Sequence, residues 1–140
     1  MKKGIGILAL ALIAIAAMTS LTKSDSGIEF DHLTMEKAQK KAAKSEKLIF
    51  IDAYTDWCGP CKRMAATTFK DSEVAEFFND EFINLKIEME KNPEGNSIAR
   101  KYGVRAYPTL LIIDSDGNLV KKTIGFKTKD QLMAFAGSAL

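Results

Sequence analysis

Leu48-Ile49-Phe50-Ile51-Asp52-Ala53-Tyr54-Thr55-Asp56-Trp57-Cys58-Gly59-Pro60-Cys61-Lys62 contains both cysteines of a 140-residue chain, three positions apart. Residues 48–54 are an apolar run interrupted only by Asp52. A short run of this kind, bounded by turn residues, reads as a strand covered by other elements on both faces. Pro60 suits an early helical position, because the N–H it lacks would have no partner in the first turn anyway. The stretch therefore reads as strand, turn, helix, with the cysteines where the helix opens. The helix is expected over residues 60–69.

Further along, Asp71 reads as the cap of another helical piece with Val74, Ala75, Phe77 and Phe78 on its apolar side. Residues 82–89 form a second strand with Phe82, Leu85 and Ile87 as apolar positions. Asn92-Pro93-Glu94-Gly95 is turn chemistry. Residues 96–102 make a short helix stopped by Gly103. Tyr107-Pro108 precedes a strand over 109–113, a turn over 114–118 and a return strand over 119–124. Gly125 breaks the chain, and Thr128-Lys129-Asp130-Gln131 is a capping box for a last helix through about residue 139. Upstream, Gly27-Ile28-Glu29-Phe30 is expected as a short edge strand. Thr34 caps a helix over 35–45 whose buried stripe is narrow, Ala38 and Ala42, and whose lysines form a solvated face. Strands and helices alternate, which predicts an α/β fold: a central mixed β-sheet flanked by helices on both faces.

The chain has 20 basic and 18 acidic residues, a net charge of +2, too little for a nucleic-acid-binding surface. Lys2 and Lys3 supply that excess. Behind them, residues 5–18 are continuously apolar and rich in Ala, Leu and Ile, with Ala14-Ile15-Ala16 as a small-x-small cut site. This is the pattern of a secretory signal peptide. The run is shorter than the roughly 20 residues of a spanning helix, although an uncleaved anchor is the alternative. The expected layout is a leader or anchor over 1–20, a linker over 21–27 and one domain over 28–140. Export places the protein in the periplasm, where thiol pairs meet an oxidising environment.

A thiolate is the attacking form of cysteine, and a free cysteine has a pKa of about 8.5. At a helix start, unpaired backbone N–H groups and the positive end of the helix dipole favour the anion. Cys58 is thus the expected exposed nucleophile. Cys61, one helical turn further in, lies within bonding reach and is the expected resolving thiol. Three other readings exist. A structural disulfide closing so small a ring would be a poor staple. A structural zinc site needs four ligands, and the chain offers two cysteines and His32. Chance spacing is the third. No metal and no cofactor are expected.

Residues 52–62 resemble the active-site segment of thioredoxins, and the resemblance runs from about Leu48 to the C-terminus. It includes Tyr107-Pro108-Thr109, similar to that family's cis-proline loop, and Gly125 after the last strand. Thr68-Phe69-Lys70-Asp71 followed by Val74, together with Tyr54 and Asp56-Trp57, resembles secreted thioredoxin-like proteins and the C-terminal domain of the bacterial membrane disulfide reductase.

This resemblance implies a thioredoxin fold and a Cys58–Cys61 redox disulfide. Asp52 would be a buried acid able to take the proton of Cys61, and Lys86 its neighbour. Trp57, Gly59, Pro60, Tyr107 and a cis Pro108 would line the substrate groove. Tyr107 departs from the usual aliphatic residue before that proline, and Tyr54 from a common tryptophan, the latter a packing change.

The implied activity is reduction of disulfide-containing proteins by a monomer supplied with electrons by a membrane-embedded reductase. A disulfide oxidase or isomerase is the alternative in the same chemistry, and a non-catalytic binding module the alternative from another class. Gly59-Pro60 between the cysteines favours the reducing end of the family.

Overall fold

The computed structural model describes residues 27–140. The expected leader and all but the last residue of the expected linker lie outside the described residues. The elements run α1 Met35–Ser45, β1 Leu48–Tyr54, α2 Gly59–Ala66, a 3-10 turn Thr68–Lys70, α3 Ser72–Glu81, β2 Phe82–Glu88, α4 Gly95–Tyr102, β3 Thr109–Ile113, β4 Leu119–Ile124 and α5 Lys129–Gly137. The sheet order is β2-β1-β3-β4. β1 pairs in parallel with β2 and antiparallel with β3, and β3 pairs antiparallel with β4. The sheet is mixed, as expected.

Each sheet face has its own core. Ile49, Ile51 and Ala53 of β1 pack with Ala38 and Ala42 of α1 and with Ile98 and Tyr102 of α4. On the other face Phe50 packs with Met64 of α2, Val74 and Phe78 of α3, and Leu132 and Ala136 of α5. The alternation along β1 follows from the two-residue side-chain period of a strand. Phe50 is fully buried, with ring centroids 4.7 Å from Phe78 and 6.3 Å from Phe69. Asp52 follows Phe50 by two residues, so β1 directs it to the face that α2 covers.

Local signals explain the helix ends. Thr34 caps α1 by accepting from Lys37 N, and Asp71 caps α3 by accepting from Glu73 N and Val74 N. Thr128 and Gln131 complete the expected capping box at α5. Gly103 ends α4 with φ +64°, the left-handed conformation that glycine adopts without a Cβ penalty.

The structure corrects three expectations. Residues 27–30 are no strand. The segment is tied instead by Ile28 N donating to Phe69 O and by one parallel bridge between Asp31 and Leu85. Four strands result where five were expected. The helix expected over 60–69 breaks at Thr67, whose φ of −122° is not helical and whose hydroxyl donates to Arg63 O. The chain then restarts as the 3-10 turn that buries Thr68 and Phe69. The last helix ends at Gly137, two residues early.

Candidate redox site

β1 delivers the chain to Thr55, which is fully buried, and Cys58 N then donates to Thr55 O at 3.2 Å. That bond folds the Asp56-Trp57 turn and sets Cys58 as the N-cap of α2, in extended backbone (φ −75°, ψ 111°). Its Sγ accepts from Cys61 N at 3.2 Å. A sulfur at this position receives the donors and the dipole that favour a thiolate. Cys58 and Cys61 are joined as a disulfide with their Cα atoms 5.3 Å apart. Pro60 is in the first turn of α2. A Cβ at Gly59 would meet open space, so packing does not demand glycine there and the surface beside the cysteines is simply left bare.

Cys58 was expected to be exposed, and it is not. It and Cys61 are each 3% accessible, because the Cys58 sulfur turns inward onto Cys61 and its amide instead of toward solvent. What stands out at the surface is the neighbouring Trp57, 65% accessible.

The Tyr107–Pro108 peptide is cis. Its loop is fixed by Gly125 N donating to Pro108 O at 2.8 Å and by the Thr109 hydroxyl donating to Ala106 O at 2.7 Å. The Trp57 and Tyr107 rings meet edge to face, with centroids 6.0 Å apart. This contact joins the loop after β1 to the loop before β3. From the last turn of α2, Arg63 stacks its guanidinium 4.3 Å from the centre of the Phe126 ring.

Asp52 is 1% accessible, and neither carboxylate oxygen accepts a hydrogen bond. Burial pushes its pKa up to about 7, against the opposing pull of Lys86. Strand pairing places Asp52 opposite Lys86, and the Lys86 Nζ lies 3.8 Å from Asp52 Oδ2. The ammonium also sits over three rings, at 4.8 Å from Tyr54, 5.7 Å from Phe30 and 5.9 Å from Phe69. Tyr54 is thus more than a packing substitute, since its ring faces the cation. A cation over aromatic faces is held electrostatically by the ring quadrupoles.

Sequence reasoning placed a turn after β2 but missed what residues 88–91 hold there. The Glu88 carboxylate accepts from Asp56 N and from Glu90 N, and the Glu90 carboxylate accepts from Trp57 Nε1 at 3.1 Å. Lys91 forms an ion pair with Asp56. The Glu-Met-Glu-Lys order gave no signal of this, because the partners are more than thirty residues away. Of the expected residues, Trp57, Cys58, Tyr107 and Pro108 lie on the two loops joined by the ring contact, Gly59, Pro60 and Cys61 in the first turn of α2, and Asp52 and Lys86 on the strands β1 and β2. Among the described residues no helix is long and apolar enough to cross a membrane.

A dithiol–disulfide pair at a helix N-terminus, with a buried acid on the strand before it and a cis-proline loop joined to it by the Trp57–Tyr107 contact, defines a thiol–disulfide oxidoreductase. The thioredoxin family profile matches residues 29–138, and the chain belongs to the thioredoxin family. The match begins ahead of α1, earlier than the expected start at Leu48. Thioredoxin of Bacillus subtilis is 35% identical over 99 residues, covering 71% of this chain and 88% of its own. The solution structure of a candidate disulphide-isomerase from Bacteroides thetaiotaomicron is 45% identical with a TM-score of 0.73, over 81% of this chain and 93% of its own. The oxidised C-terminal domain of DsbD from Neisseria meningitidis is 26% identical with a TM-score of 0.64, over 81% of this chain and all of its own.

Proposed function

We propose that the protein is an exported reductase of protein disulfides, recharged by a membrane-embedded reductase. Residues 1–20 are its leader or anchor and 21–27 the linker to the domain. The observation that carries this reading is the position of Cys58 as the N-cap of α2, where the Cys61 amide already points at its sulfur. The Cys58 thiolate attacks one sulfur of a substrate disulfide, forming a mixed disulfide and releasing the other substrate sulfur as a thiolate. Cys61 gives its proton to Asp52 and attacks Cys58 Sγ. The second substrate thiolate leaves, and the protein ends with its Cys58–Cys61 disulfide. Two electrons have passed to the substrate, and its thiolates take up two protons.

A second dithiol must then reduce the Cys58–Cys61 disulfide. In an oxidising compartment that electron source has to reach in from the membrane. Similarity to a DsbD C-terminal domain supports a donor of that kind. Trp57, Gly59, Pro60, Tyr107 and Pro108 form the surface that receives the substrate chain.

A disulfide isomerase is the second reading, favoured by the 45% identity to a candidate disulphide-isomerase. Equilibrating the Cys58–Cys61 pair with glutathione buffers separates the two. A reductase should titrate near the thioredoxin value of about −270 mV, an isomerase near about −180 mV. Reduction by mild glutathione would sink the reductase reading.

A further inference from the structure

The exposed Trp57 indole is fixed at two points. Its Nε1–H donates to Glu90 at 3.1 Å, and its ring meets Tyr107 edge to face. A large side chain so open to water has several rotamers available unless something selects one. Glu90 is in turn built in. Its own amide donates to Glu88 Oε2 at 3.1 Å, while Glu88 Oε1 takes the Asp56 amide at 3.2 Å. One carboxylate thus ties the turn after β2 to the loop that precedes Cys58. The turn can close this tightly because position 95 is glycine; a Cβ there would come within 2.1 Å of Met89 O.

We propose that Glu90 is a positioning residue that holds the Trp57 indole as one wall of the groove for extended polypeptide disulfides, with Tyr107 as the facing contact. This rests on the reading of the protein as an exchanger of protein disulfides. Trp57 adjoins Cys58 and Tyr107 adjoins Pro108, so a polypeptide presenting its disulfide to Cys58 must pass these rings. A small disulfide need not.

Trp57 is the single tryptophan of the chain, so its fluorescence reports on this position without interference. The test compares the full-length wild type with Glu90→Ala and Glu90→Gln. Each is assayed with insulin as the polypeptide disulfide and with dithiodipyridine as the small one, and the time-resolved anisotropy of Trp57 is recorded. Glu90→Ala should raise KM for insulin about 3- to 10-fold, the size of one lost hydrogen bond. It should leave the rate with dithiodipyridine within about twofold and free the indole to reorient faster. Glu90→Gln keeps an oxygen acceptor for the indole N–H and should restore both readings. Unchanged anisotropy in Glu90→Ala overturns the proposal. So does equal slowing of both substrates, or failure of Gln to restore. A wild type inactive on insulin defeats the reductase reading; anisotropy, with exchange from a reduced polypeptide dithiol, then decides the role of Glu90.

Discussion

Lys86 Nζ stands 3.8 Å from Asp52 Oδ2 across the parallel pair β1–β2, with the carboxyl sealed from water and the ammonium half-buried among three aromatic rings. Desolvation favours the neutral acid and the ammonium favours the carboxylate; desolvation is the larger, so the pKa rises to about 7. A carboxyl poised there can accept a proton at neutral pH and release it again.

Replacing Asp52 by Asn should therefore remove the titration near neutrality from the rate of the resolving step, followed by stopped-flow release of a substrate thiol. It should also alter stability. Between about pH 4 and pH 7 the folded state holds a proton that the unfolded state has lost, so stability falls as pH rises through that window. Above it the ionised, buried Asp52 leaves a constant deficit. Asp52→Asn should be more stable than the wild type by on the order of 2 to 4 kcal/mol above about pH 8, and equal to it below about pH 4. Urea unfolding at the two ends of the range measures this, and an equal difference at both ends would refute it.

Lys86→Met removes the interaction that lowers the Asp52 pKa while leaving a side chain of similar length among the rings. The midpoint of the pH–rate profile should then move upward. A midpoint that stays in place, or moves down, would mean that the ammonium does not act on Asp52.

Cys61→Ser leaves an attacking thiol with nothing to resolve it. With a polypeptide disulfide it should accumulate as a covalent mixed disulfide, visible on non-reducing gels and reversed by dithiothreitol. Cys58→Ser should give no adduct and no turnover. Retention of full function by Cys58→Ser would favour the non-catalytic binding module.

Phe50 contacts Phe69, Phe78 and Phe82 in the core beneath α2 and α3. Phe50→Ala should cost about 3 to 5 kcal/mol in urea unfolding, the usual price of an aromatic deleted from a closed core. A loss below about 1 kcal/mol would show that the aromatic cluster collapses to fill the gap.

The sequence by itself determined β1, the dithiol turn, the caps at Thr34, Asp71 and Thr128, the stop at Gly103 and the hairpin around Asp114–Asn118. Each of these depends on residues a few positions apart, and the physics of caps, turns and side-chain alternation acts at that range. Resemblance supplied the cis Pro108 and the pairing of Asp52 with Lys86. No spacing in this chain would have given either. Tertiary structure alone decided the rest. The tie of residues 27–31 to Phe69 and Asn84 and the Glu88–Glu90 hold on the Trp57 loop depend on which strands lie side by side, while the inward turn of Cys58 onto the Cys61 amide and the break at Thr67, which leads into the buried Thr68 and Phe69, show only in the folded chain. Glu90 and Trp57 are 33 positions apart in sequence. Only the parallel pairing of β1 with β2 brings the ends of those strands, and the loops they carry, to the same edge of the sheet.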